Sequence, residues 1–184
     1  MAALTASDWP APRKFFELCE LGSNQDWLCT HLMSVCLVNG FGTTQDQTAA
    51  AIIFELLAND GHSHSQQLIG LCHYHGWGES ENYPVALDWF SKSADQGNPY
   101  GQWWVGWCYR WGEGAPRDFT KAAMWFSKSA EQGNRYGQCN LGYLYRDGNG
   151  VTECIDTAVI WYRESASQGN EEAIDRLKEL GRWP

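Results

Sequence analysis

The sequence predicts an all-α fold, a right-handed α/α superhelical solenoid of about four 36-residue helix pairs with capping helices at both ends. Three recurrences predict it. Gly61, Gly97, Gly133 and Gly169 stand 36 residues apart, as do Gly40, Gly76, Gly112 and Gly148, and Gly42, Gly78, Gly114 and Gly150. Small residues keep the same step, at Ala50, Ala86, Ala122 and Ala158 and again at Ala58, Ala94, Ala130 and Ala166. Trp89, Trp125 and Trp161 follow, with Ile53 in the first copy. A fixed period of this length is the mark of stacked repeats, because one helix pair cannot bury its apolar stripe alone.

The period divides the chain into an N-terminal segment with a capping helix (1–26), repeats at 27–62, 63–98, 99–134 and 135–170, and a C-terminal capping helix (171–184). The opening helix spans Pro10–Leu21 with Asp8 as its cap. In the third repeat, Asn98 caps a first helix that has Pro99 at its first position and runs to Trp111. A Gly112-Glu113-Gly114 turn follows. Asp118 then caps a second helix, which ends near Gln132 where Gly133 supplies a left-handed stop. Asp46 and Asn82 hold that cap in other copies, and Cys154 breaks the pattern. The second helix carries Ala122, Trp125, Phe126 and Ala130 on its apolar face, where small residues admit a neighbour and the two rings fill the space between layers. The closing segment, EEAIDRLKEL, reads as a charge-rich outer cap.

Hydrophobic residues make up 43% of the 184, enough for a packed core and too many for a disordered tether. The formal net charge is −9. That excludes the basic footprint needed to hold nucleic acid or an anionic membrane, and suits a protein partner with a basic surface. No apolar run reaches the roughly 18 residues of a membrane span, and the first residues lack the pattern of a secretory leader. The seven cysteines show no CxxC spacing and read as free, mostly buried thiols of a reducing cytoplasm. Cys36, Cys72 and Cys108 share one phase and read as small core packers. Eleven tryptophans in one chain imply an unusually aromatic core, a binding surface, or both.

The repeats resemble the Sel1-like family, relatives of the tetratricopeptide repeat with a slightly longer loop. The third copy reads GQWWVGWCYRWGEGAPRDFTKAAMWFSKSAEQGN and the fourth GQCNLGYLYRDGNGVTECIDTAVIWYRESASQGN; the first is the weakest. The resemblance covers about residues 27–184. It implies a solenoid scaffold that binds other proteins, with the first helices lining a concave groove. A secreted branch of the family pairs a Cys opening the first helix with a Cys closing the second. The matching positions here are Cys29 with Ala58, Ser65 with Ala94, Gly101 with Ala130 and Gly137 with Ala166, so no such pair exists.

A helical wheel of the third repeat's first helix puts Gly101, Val105, Cys108 and Tyr109 on the core stripe. Tyr100, Trp103, Trp107, Arg110 and Trp111 fall about 120° or more from Val105. A purely structural helix would carry Glu or Lys there, and Trp, Tyr and Arg are the types that dominate interfaces. Shifting by the repeat gives His64, Gln67, Leu71, Tyr74 and His75 in the second copy. It gives Tyr136, Cys139, Tyr143, Arg146 and Asp147 in the fourth, and Leu28, His31, Val35, Val38 and Asn39 in the first. Trp104 falls between the two stripes and reads as packing.

His62, His64, His73 and His75 form two HxH pairs. His64 and His75 are about 16 Å apart along one helix, too far to share a metal whose ligands lie about 2 Å away. GEG and GNG read as inter-helix turns, since GxxxxGK[ST] is absent. Neither a cofactor, a metal nor a catalytic set is expected. The function expected is non-catalytic binding of a partner protein in an aromatic groove, by a chain monomeric on its own, as an inhibitor or immunity-type protein that blocks a toxin or effector. An adaptor or chaperone bridging several partners is the first alternative, and a hydrolase using the histidine cluster the second.

Overall fold

The computed structural model describes residues 10–23, 26–78 and 80–183. Ten helices and no strand occur among them: α1 (Pro10–Gly22), α2 (Trp27–Asn39), α3 (Gln47–Asn59), α4 (Ser63–His75), α5 (Tyr83–Asp95), α6 (Pro99–Trp111), α7 (Phe119–Glu131), α8 (Arg135–Asp147), α9 (Ile155–Ser167) and α10 (Glu171–Glu179). The fold class is the all-α helix-pair solenoid that the repeat predicts. The expected cap Asp8 lies outside the described residues. Two compact units divide the chain, Met1–Ala86 and Leu87–Pro184, with the boundary inside α5. No helix among the described residues is long and apolar enough to cross a membrane.

Local sequence sets each helix end. Asn98 Oδ1 accepts from the Tyr100 and Gly101 amides, and Asp118 Oδ1 from the Lys121 amide at 3.0 Å. Asp46 and Asn82 cap α3 and α5 in the same way. Cys154 holds the same extended backbone as Asp118 but makes no capping bond, so α9 begins uncapped. Gly112 ends α6 at φ 79°, a conformation that costs other residues about 1 kcal/mol or more. Gly150, in the turn after α8, has φ 72° and lies against the Phe119 carbonyl, leaving no room for a Cβ.

Side-chain amides and hydroxyls then tie helices together within each pair and between successive pairs. In the second unit, Gln132 Nε2 donates to Gln102 Oε1 at 2.7 Å and Gln168 Nε2 to Gln138 Oε1 at 2.8 Å. Gln102 and Gln138 also donate to the carbonyls of Ala94 and Ala130, near the ends of α5 and α7. Ser129 and Ser165 hydroxyls donate to the Pro99 and Arg135 carbonyls, both at 2.7 Å. The Gln that closes a repeat therefore straps the second helix to the first helix of its own repeat, and that first helix's Gln102 or Gln138 reaches the repeat before it.

The core corrects one expectation. Phe126 is fully buried, whereas Trp125 is only half-buried, with the Lys128 ammonium 4.1 Å from its ring centroid. Trp89 repeats this with Lys92 at 4.0 Å. The rings that fill the core are Phe54, Phe90, Phe126 and Tyr162, each one residue after the recurring tryptophan phase. Phe126 and Tyr162 each need a small residue opposite. A Cβ on Gly106 would sit 2.6 Å from Phe126 Cδ1, and one on Gly142 would sit 2.7 Å from Tyr162 Cε1. All seven cysteines are free, and Cys36, Cys72 and Cys108 are buried. Burial pushes the Cys108 and Cys139 thiols up to about 12, so both stay protonated at neutral pH.

Candidate aromatic interface

Exposure of the candidate face depends on phase, and the two units are described separately. In the second unit, α6 presents Tyr100 at one end and Trp111 at the other, 46% and 54% exposed. Trp103 and Trp107 between them are half-buried and pack against the α7–α8 core. The rings form a connected row: Trp103 lies 5.8 Å from Trp107, and Trp107 5.7 Å from Trp111. Trp103 also leans on Tyr136 of α8 at 5.2 Å, and its buried Nε1–H has no hydrogen-bond partner among the described residues. Trp104 stacks on Phe90 at 5.1 Å with planes 10° apart.

Beside the row, Arg110 is half-buried and lies 5.1 Å from the centroids of both Trp111 and Tyr143. Its Nη1 donates to Asn140 Oδ1 at 2.6 Å. Burial pushes the Arg110 pKa down, opposed by Tyr143, Glu172 and Asp147. Tyr143 donates its hydroxyl to Glu172 Oε1 at 2.7 Å. Arg146 grips Asp147 with two bonds, 2.6 and 3.0 Å. Asn140 and Glu172 were not singled out from the sequence. Asn140 occupies the phase of Leu32, Leu68 and Trp104, so a polar residue in an otherwise apolar phase was the available signal.

In the first unit, His64 and His75 are exposed, and Leu71 and Tyr74 half-buried. His75 stacks on Trp77 at 4.8 Å, Tyr74 meets Tyr83 edge-on at 5.2 Å, and His62 stacks on Trp27 at 4.3 Å. Among the described residues, no group of three His, Cys, Asp or Glu side chains could hold a metal.

Two residues assigned to the surface by phase are core residues. His31 is buried, with Nδ1 3.0 Å from Ser65 Oγ and its ring tilted against Phe54. Cys139 is 1% exposed. Both share the phase of Trp103, which turns partly inward because neighbouring helices cover it. The phase of Trp111 stays outside in every copy, as Asn39, His75, Trp111 and Asp147.

Repeat geometry and sequence agree with a known family. The Sel1 repeat model matches residues 28–62, 63–98, 99–134 and 135–170. The chain belongs to the Sel1 repeat family. Sel1 repeat proteins bind other proteins and serve in general as non-catalytic interaction scaffolds. One similar structure is a protective antigen present in uropathogenic Escherichia coli strains, displaying an SLR fold. It is 32% identical with a TM-score of 0.78, over 90% of this chain and 35% of that one. This chain thus spans about a third of that antigen's length. A Sel1 repeat protein from Oxalobacter formigenes is 26% identical with a TM-score of 0.83, over 92% of this chain and 72% of the other. An immunity protein from Pseudomonas aeruginosa shares the fold at 19% identity and a TM-score of 0.57, over 94% of this chain and 60% of that one. No curated protein matched the sequence.

Proposed function

We propose that this Sel1 repeat chain binds one partner protein on the aromatic face of α6 and α8 and acts by covering that partner's functional surface, as an inhibitor or immunity-type protein does. The observation that carries the reading is the exposure of Trp111 at the end of the Trp103–Trp107–Trp111 ring row, with Arg110 beside it and Tyr100 exposed at the other end of α6. Solvated helix faces carry Lys and Glu; large rings left in water on one helix are anchors for a partner. The net charge of −9 favours fast encounter with a partner of net positive charge. Free thiols, five of the seven buried, support a reducing compartment such as the cytoplasm. The Pseudomonas immunity protein supports no more than the suitability of this fold for such a role.

An adaptor is the second reading. It draws on α7 and α9, where Met124 and Ile160 are exposed on the face turned from the aromatic residues of α6 and could hold a second protein. Assay of the partner separates the two. A stoichiometric partner is captured with wild type and with Tyr100→Ala/Trp111→Ala, then its own activity is titrated with purified chain. Inhibition at one equivalent, absent with the double variant, supports the inhibitor. Full activity in the bound state, with a second protein recruited, supports the adaptor. Equal capture by both forms refutes the aromatic face.

A further inference from the structure

Arg110 is the least satisfied cation near this face. Its guanidinium is half-buried between the Trp111 and Tyr143 rings, and among the described residues its one hydrogen bond goes to a neutral amide oxygen of Asn140. Among the described residues, no carboxylate lies within ion-pair distance of it. The carboxylates nearest in charge are already engaged: Asp147 takes two bonds from Arg146, and Glu172 takes the Tyr143 hydroxyl. Asn140 is itself fixed, since its Nδ2 donates to the Tyr136 carbonyl at 2.9 Å. A guanidinium cannot shed its proton in a protein, so the cost of taking it from water stays until an anion arrives. The two rings compensate only in part. They also hold the planar fork in place, which lowers the entropy lost when a carboxylate docks with two parallel bonds.

We propose that Arg110 receives the side-chain carboxylate of an Asp or Glu from the partner protein, flanked in the partner by apolar residues that lie on the aromatic row. This deepens the proposed function and rests on it. A side chain is favoured over a chain terminus because aromatic surface extends from Arg110 in two directions, along α6 to Trp107 and across to Tyr143 on α8. Residues on both sides of the acid therefore have something to cover. Net negative charge speeds encounter with a basic partner, while this one cation fixes register by taking an acid.

The test selects random dodecapeptides, displayed as internal inserts without free ends, against the full chain and against its Trp111→Ala, Arg110→Gln and Arg110→Lys variants. Peptides that depend on Trp111 are expected to share one Asp or Glu between aromatic or aliphatic residues. Arg110→Gln should weaken them at least about 30-fold, as loss of one partner of a desolvated charge pair does. Changing the peptide's acid to its amide should cost a similar factor, with no further loss in Arg110→Gln. Arg110→Lys retains charge without the fork and should lie between; it also serves if the Gln variant fails to fold. Trp111-dependent peptides lacking a shared acid, or unaffected by Arg110→Gln and Arg110→Lys, overturn this inference and leave the proposed function standing. Trp111-dependent enrichment from a parallel library displayed with free C-termini, and none from the internal inserts, overturns the side-chain assignment. No Trp111-dependent peptide from either library overturns the proposed function together with this inference.

Discussion

Trp125 and Phe126 sit side by side in sequence and in different environments. A wheel places both near the apolar stripe of α7, and spacing alone cannot choose between them. Burial does: Phe126 is enclosed and Trp125 lies half out under Lys128. Phe126→Ala should cost about 3–5 kcal/mol of unfolding free energy, with Trp125→Ala well below it, by urea denaturation. A lysine three residues after Trp89 and after Trp125 was the sequence signal for an aliphatic stem lying on a half-exposed ring. His31 makes a second residue-scale prediction. Burial lowers its pKa from the ordinary value of 6.5, with His64 and His62 adding repulsion. The unfolded chain therefore takes up a proton that the folded chain resists. Its contribution is intact above about pH 6.5 and is lost as pH falls through the depressed folded value. Melting temperature should drop more steeply from pH 7 to pH 5 in wild type than in His31→Gln. Equal slopes would remove His31 from the account.

Helix ends and turns were the most legible elements, since caps and glycines act within a few residues. Asp118→Ala should cost about 1 kcal/mol, and Cys154→Asp should raise the melting temperature by installing the missing cap at a backbone already shaped for it. Face assignment was legible only where nothing covers the face. The wheel found the buried Gly101, Val105 and Cys108 of α6, while Trp103 and Trp107, which it turned away from the core, are half-buried and pack against it. Carrying that phase to His31 and Cys139 failed, because a single-helix wheel does not contain the neighbouring helices that enclose this phase. Gly106 was equally hidden: within a helix it looks like a weakness, and only its contact with Phe126 explains it. Gly106→Ala should cost about 1–3 kcal/mol by overpacking, despite the higher helix propensity of alanine, as read by denaturant titration.

At the scale of the whole molecule, the 36-residue period made the architecture legible, while the partner's chemistry depends on surface side chains that vary under the same period. Net charge and local chemistry also separate here. With a basic partner, raising salt should slow association more than it speeds dissociation, because charge steers encounter and the ring row holds the complex. The central claim is that the α6–α8 aromatic face, and not the outer face, binds that partner. Calorimetric titration of the partner tests it against two variants with matched melting temperatures, Tyr100→Ala/Trp111→Ala and Met124→Ala/Ile160→Ala. The account predicts that the first loses at least about 30-fold in affinity, as hot-spot aromatics do, and that the second binds as wild type. Undiminished binding by the first, or loss confined to the second, would contradict it.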